Sequence, residues 1–105
     1  YKRLTGALAE QLVRCPPYRS QRNLGSCVLE WCWLAAGRIQ LYLHGGQQLW
    51  DHAAGQLILS EAGGRAERLE GGAIAANSLV KQSAVAASSP ALFEAWAEWL
   101  GQRNC

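Results

Sequence analysis

Leu4, Leu8 and Leu12 recur at four-residue spacing with polar residues between them, which predicts a helix over 4–14. Pro16-Pro17 ends it, because proline has no amide to continue the ladder. Residues 18–22 read as a short strand. A second helix is predicted over 26–36, opened near Gly25-Ser26 and closed at Gly37, a residue suited to the left-handed conformation past a helix end. It carries Val28, Leu29, Trp31, Cys32, Trp33 and Leu34, which cover most of its circumference. Trp31 and Trp33 point roughly 200° apart on a 3.6-residue wheel, so one packing layer does not bury both. Two readings stay open: a central core helix, or a helix with one face turned to a further domain.

Ile39 to Leu43 has strand-like content, and Gly45-Gly46 reads as the turn after it. A third helix is predicted over 50–62, with Leu57, Ile58 and Ala62 as core positions and Gly63-Gly64 as its stop. Arg65 to Leu69 reads as a strand and Gly71-Gly72 as a turn. Ala73–Ala76 and Ser83–Ala87 read as short strands around a brief turn or helix at 77–81. Ser89-Pro90 starts the last helix, with Ser as N-cap and Pro in the first helical position. Its apolar face holds Leu92, Phe93, Trp96, Trp99 and Leu100. Helices alternating with short strands predict an α/β layered domain.

The chain has 105 residues, enough for one small domain and one modest core. Half is hydrophobic, which favours folding over disorder. The net charge is +2 without a basic run, so nucleic acid is not an expected partner. No apolar stretch approaches the ~20 residues that cross a bilayer, so no membrane association is expected. Tyr1-Lys2-Arg3-Leu4 does not read as a signal peptide, and with no Met the sequence reads as part of a longer protein. Cys15, Cys27, Cys32 and Cys105 lack zinc-finger spacing. They read as reduced structural thiols, which favours a cytoplasmic setting; a disulfide or metal role is the alternative.

Asp51 is the only aspartate. It falls in the first turn of the third predicted helix, where the macrodipole stabilises an anion and exposed amides can meet phosphate oxygens. Its carboxylate could hold a hard cation. Gly55 lies one turn along on the same face, where a missing side chain would open room for a ligand. Carboxylate, cation and helix N-terminus together suit phosphate-ester hydrolysis. The plainer reading is a helix-start residue contributing about 0.3–1 kcal/mol.

Five segments occur in one order: Gly25-Ser26-Cys27-Val28-Leu29-Glu30, Ala35-Ala36-Gly37-Arg38, Trp50-Asp51-His52-Ala53-Ala54-Gly55, Glu61-Ala62-Gly63-Gly64 and Ile74-Ala75-Ala76-Asn77. From about Arg22 to its end, the chain resembles the C-terminal half of the inositol monophosphatase family of Mg²⁺-dependent, lithium-sensitive phosphomonoesterases. The resemblance implies the C-terminal part of a layered αβαβα sandwich, residues 1–105 forming one unit with a mixed sheet flanked by helices and the active site in the cleft between halves. It implies that Asp51 is a metal ligand for Mg²⁺ and that the backbone of Gly25, Ser26 and Cys27 lies near substrate, with Cys27 where the family usually has Ala. His44 stands where inositol-type members often place a Glu that meets a substrate hydroxyl. That puts inositol phosphate itself in doubt and leaves other sugar phosphates or nucleotides open.

The family's upstream G-E-E and D-P-x-D-G-T segments, with the remaining metal ligands and the groups that activate water, do not occur in this sequence. No catalytic residue is therefore assigned here. Glu61 lies ten residues beyond Asp51, roughly 15 Å along a helix, too far to share an ion. The expected partners are a small phosphorylated substrate, the N-terminal half of the same protein and a second copy of the chain. The chain alone is expected to be inactive. A stand-alone binding or scaffold module with a vestigial site is the alternative, and the residues encoded upstream of Tyr1 discriminate between them.

Overall fold

Both ends of the second helix form as local chemistry dictates. The Ser26 hydroxyl accepts the Leu29 amide at 3.3 Å and caps helix α2, Cys27–Ala35. At the other end Gly37 has φ +76°, and the amides of Gly37 and Arg38 donate back to Leu34 and Trp33 carbonyls, a Schellman closure. Helix α3, Leu49–Glu61, closes the same way: Gly63 has φ +91°, and the Gly64 amide reaches the Leu59 carbonyl at 2.9 Å. The last helix, Pro90–Gly101, is capped by Ser89, whose hydroxyl accepts the Leu92 amide at 3.3 Å.

The computed structural model describes residues 6–14, 26–75 and 80–101. Within them the order is α1 (Gly6–Arg14), α2, β1 (Leu41–Gln47), α3, β2 (Arg65–Glu67), β3 (Gln82–Ala87) and α4 (Pro90–Gly101). The strands form one sheet, β1-β3-β2, and both described pairings are antiparallel where a mixed sheet was expected. The α/β layering itself is as expected.

The sheet separates two cores. Val85 and Ala87 of β3 meet Leu8 and Leu12 of α1 and Phe93, Trp96 and Leu100 of α4. Ala84 and Ala86 point the other way, toward Trp31 and Leu34 of α2, Tyr42 of β1 and Leu59 of α3. Alternate residues of β3 thus feed opposite cores, so the strand is buried on both faces. The Trp96 indole also donates to the Tyr42 carbonyl at 3.0 Å, tying α4 to β1.

Several expectations are corrected. The strand expected at 39–43 runs over Leu41–Gln47, so Gly45-Gly46 lies inside it and makes no turn. His44 pairs with Ala84 but Gln47 with Gln82, which leaves one extra residue on β1, a bulge. In α3 the buried positions are His52, Gly55 and Leu59, whereas Leu57, Ile58 and Ala62 are exposed. The apolar residues after Gly55 cover much of the helix, and only contact with α2 decides which stripe turns inward. The strand at Arg65 ends at Glu67, after which the Leu69 amide turns to the Ser83 hydroxyl at 2.8 Å. Residues 73–75 form no strand, and Val80 and Lys81 are not helical. Gly71-Gly72 does make a turn, both residues having positive φ. The segments expected at 18–22 and 77–79, and Ala76, lie outside the described residues.

Trp31 is fully buried, and Trp33 is half-buried beneath the Arg38 guanidinium, 5.5 Å from its ring centre. The exposed apolar residues of α2 are instead Val28 and Leu29.

Candidate functional site

Asp51 is the third residue of α3, inside the first turn as expected. One carboxylate oxygen accepts the Gln48 amide at 3.0 Å, while the Asp51 amide donates to the Gln48 carbonyl at 2.9 Å. The exchange satisfies helix-end amides and explains why a short acid suits this position. Asp51 stays half-buried. Trp50 beside it is strongly exposed.

Gly55 does not open room for a ligand. A Cβ built there would lie 2.4 Å from both Cβ and Cγ of Trp31. The missing side chain lets α2 and α3 approach closely, so the space that the sequence suggested for a ligand belongs to an indole. Gly64 is also a packing residue, since a Cβ there would meet the Leu59 side chain and the Ala87 carbonyl.

Trp31 anchors a buried chain of hydrogen bonds. Its Nε1 donates to Oε1 of Gln47 at 2.9 Å. Gln47 Nε2 donates to the Tyr42 hydroxyl at 2.6 Å, and that hydroxyl donates to Oε1 of Glu30 at 2.8 Å. Indole nitrogen can only donate, which fixes the Gln47 amide orientation and hence the direction of the whole chain. Burial, then the Glu30 carboxylate, pushes the Tyr42 hydroxyl far above its ordinary pKa, so it stays protonated. All four side chains are buried.

The bulge makes this possible. Along a regular strand, residues 42, 44 and 46 would share one face and 47 the other. One extra residue reverses the parity and turns Gln47 toward Tyr42. None of the four was assigned to the site from sequence. The available signal was Glu30, an acid within an otherwise apolar helix.

His44 lies on β1 and is buried, its Nδ1 accepting the Gly46 amide at 3.0 Å across the bulge. Ser26 is exposed at the α2 N-cap, and Cys27 and Cys32 are half-buried and not joined in a disulfide. Gly25 lies outside the described residues. A cavity of about 180 Å³ lies toward the other end of α3, lined by Gln56, Leu59, Ser60, Gly64, Arg65 and Ala66, and includes none of the expected site residues.

Among the described residues no three His, Cys, Asp or Glu side chains converge to hold a metal ion. At the start of α3 Asp51 provides a carboxylate, one oxygen of which is already bonded to the Gln48 amide. The described residues by themselves do not fit a bound divalent cation.

His52 is buried with neither ring nitrogen hydrogen-bonded among the described residues. Burial lowers its pKa below 6.5, with Asp51 opposing. The unfolded chain therefore takes up this proton first, so stability is full above about pH 6.5 and declines as pH falls toward the lower folded value. His52→Leu, similar in volume and apolar, is expected to match or exceed the parent's stability at pH 7 and to flatten this acid decline. Urea unfolding in metal-free buffer between pH 5 and 8 measures both. A loss above about 1 kcal/mol with the decline unchanged would show that His52 makes a bond of its own.

The inositol monophosphatase family profile matches residues 2–103. Inositol-1-monophosphatase of Mycobacterium bovis is 50% identical over 58 residues, covering 54% of this chain and 20% of that protein. Inositol monophosphatase 1 of Solanum lycopersicum is 43% identical over 83 residues, covering 78% of this chain and 29% of the relative. The crystal structure of inositol monophosphate-bound SaIMPase-II aligns with TM-score 0.76 at 28% identity, covering 93% of this chain and 35% of that one. The matched segments thus span about a third or less of these relatives' lengths. No described helix is long and apolar enough to cross a membrane.

Proposed function

The chain belongs to the inositol monophosphatase family, and we propose that it forms the C-terminal part of a Mg²⁺-dependent phosphomonoesterase active site acting on a small phosphorylated metabolite. The observation that carries this reading is Asp51 in the first turn of α3, within Trp50-Asp51-His52-Ala53-Ala54-Gly55, where a carboxylate and a helix N-terminus coincide. Asp51 is one metal ligand. The other donors come from the part of the relatives that this chain does not span. When bound, the cation would polarise the phosphoryl group and activate water. The backbone of Gly25, Ser26 and Cys27 forms part of the substrate wall, and His44 lies beside the substrate. The protein works in the cytoplasm without nucleic acid or membrane. The family supports phosphate-ester chemistry more strongly than a scaffold with a vestigial site.

Phosphate release from inositol phosphate, other sugar phosphates and nucleotides, with Mg²⁺ present, tests this. The isolated chain is expected to show no turnover, and the full-length protein robust turnover. A Mg²⁺ site needs several converging oxygens, and among the described residues no three His, Cys, Asp or Glu side chains converge. Turnover by the isolated chain that Asp51→Asn abolishes would overturn the division of the site. In the full-length protein, His44→Glu should shift relative kcat/KM between inositol phosphate and the other substrates, because an imidazole that accepts at Nδ1 gives way to a carboxylate that only accepts. An unchanged ratio removes His44 from the substrate wall.

A further inference from the structure

The hydrogen-bond chain through Tyr42 begins and ends on α2 and passes through the residue that leads into α3. Glu30 and Trp31 belong to α2, and Gln47 directly precedes Gln48, the α3 N-cap. The two helix starts that carry Ser26-Cys27 and Asp51 are therefore joined by three buried bonds of 2.8, 2.6 and 2.9 Å. Beyond the network, Gly55 presses α3 onto the Trp31 ring, and the Tyr42 ring meets that indole edge-on at 5.2 Å. Packing sets how close the helices lie. Being directional, the hydrogen bonds also set where each helix start sits along the other.

We propose that Tyr42, acting through Glu30 and Gln47, is a positioning residue that fixes the first turn of α2 relative to the first turn of α3 and so sets the spacing between the Ser26–Cys27 backbone and Asp51. The structural half stands on the geometry; its catalytic consequence rests on the phosphomonoesterase reading above. A carboxylate acceptor makes the Tyr42–Glu30 bond charge-assisted and short, suited to holding geometry. Phe at position 42 keeps the ring packing but removes the hydroxyl, leaving Gln47 Nε2 and the Glu30 carboxylate each short of a buried partner.

Amide hydrogen exchange on this chain tests the structural half. The reporters are the amides of Leu29 and Glu30, which bond Ser26, and of Gln48 and Asp51, which bond each other's residue. The amides of Leu92 and Phe93, bonded to Ser89 at the start of α4, are the reference. Tyr42→Phe is expected to speed exchange at the four reporters about tenfold relative to the reference. Glu30→Gln keeps an acceptor for the Tyr42 hydroxyl and is expected to retain protection. A uniform change, no change, or Glu30→Gln behaving like Tyr42→Phe overturns the proposal.

In the full-length protein, Tyr42→Phe is expected to lower kcat/KM about tenfold and to raise the Mg²⁺ concentration for half-maximal activity, with Asp51→Asn measured in parallel. Local loosening with both kinetic values unchanged overturns the link to the site. An active Asp51→Asn protein overturns the phosphomonoesterase role of Asp51 and leaves the exchange result to decide the structural half.

Discussion

Asp51→Asn in the full-length protein is expected to lower phosphomonoesterase activity at least about 100-fold while unfolding free energy stays within about 1 kcal/mol of the parent. Asn keeps an oxygen that can accept the Gln48 amide, so the bond that starts α3 survives. What disappears is the negative charge. Its favourable interaction with the helix dipole contributes about 0.3–1 kcal/mol, which bounds the stability loss. A hard divalent cation prefers anionic oxygen, and removing groups merely adjacent to metal ligands already costs about 10–100-fold. A direct ligand should cost at least the upper end of that range. Steady-state kinetics across Mg²⁺ concentrations, paired with urea unfolding, separates the two effects. Activity within tenfold of the parent would remove Asp51 from the metal site. A large stability loss would reduce it to a helix-start residue.

The largest stability effect is expected at Gly55. A Cβ there would lie 2.4 Å from Trp31 Cβ, closer than real carbon contacts come. Shrinking the indole does not relieve this, because every residue except glycine carries a Cβ at position 31. The helices must separate instead. That would stretch the 2.9 Å Trp31–Gln47 bond and uncover part of a fully buried side chain. Overpacking typically costs 1–3 kcal/mol, occasionally more, and a strained buried hydrogen bond adds about 1. Gly55→Ala is therefore expected to lose about 3 kcal/mol or more, a large part of the 5–15 kcal/mol typical of a domain. Urea unfolding followed by circular dichroism measures it. Gly6→Ala is the control, since a Cβ there meets nothing within 4 Å. A Gly55→Ala loss below about 1 kcal/mol would mean that the α2–α3 contact yields easily.

Much of the fold was legible in the sequence where the relevant chemistry is local. The helices near 26–36, 50–62 and from Ser89-Pro90 form with the ends that can be compared lying within about two residues of those expected, the usual uncertainty, and the described part of 4–14 is helical throughout. The site was legible in a narrower sense. Asp51 could be placed in the first turn of its helix, but Leu57 and Ile58 were misread as core because periodicity cannot say which stripe a neighbouring helix will cover. His44 could be singled out by its place in the family pattern, but its position inside β1 and its bond to Gly46 depend on a strand that runs on through a bulge no local pattern announces.

The sequence by itself determined the family and the helix stops. Gly37 and Gly63 could be read as C′ residues because a Schellman closure involves only neighbours within five positions. Tertiary structure alone decided what the small residues accommodate and where the polar ones turn. The space at Gly55 went to Trp31, and the bulge at Gly45-Gly46 turned Gln47 inward to join Trp31 and Tyr42. The physical reason is range. Caps and stops are settled by a residue's immediate chain neighbours, whereas strand register, helix approach and the pairing of buried polar groups are settled by elements whose bonded residues lie 12 to 54 positions apart in the chain.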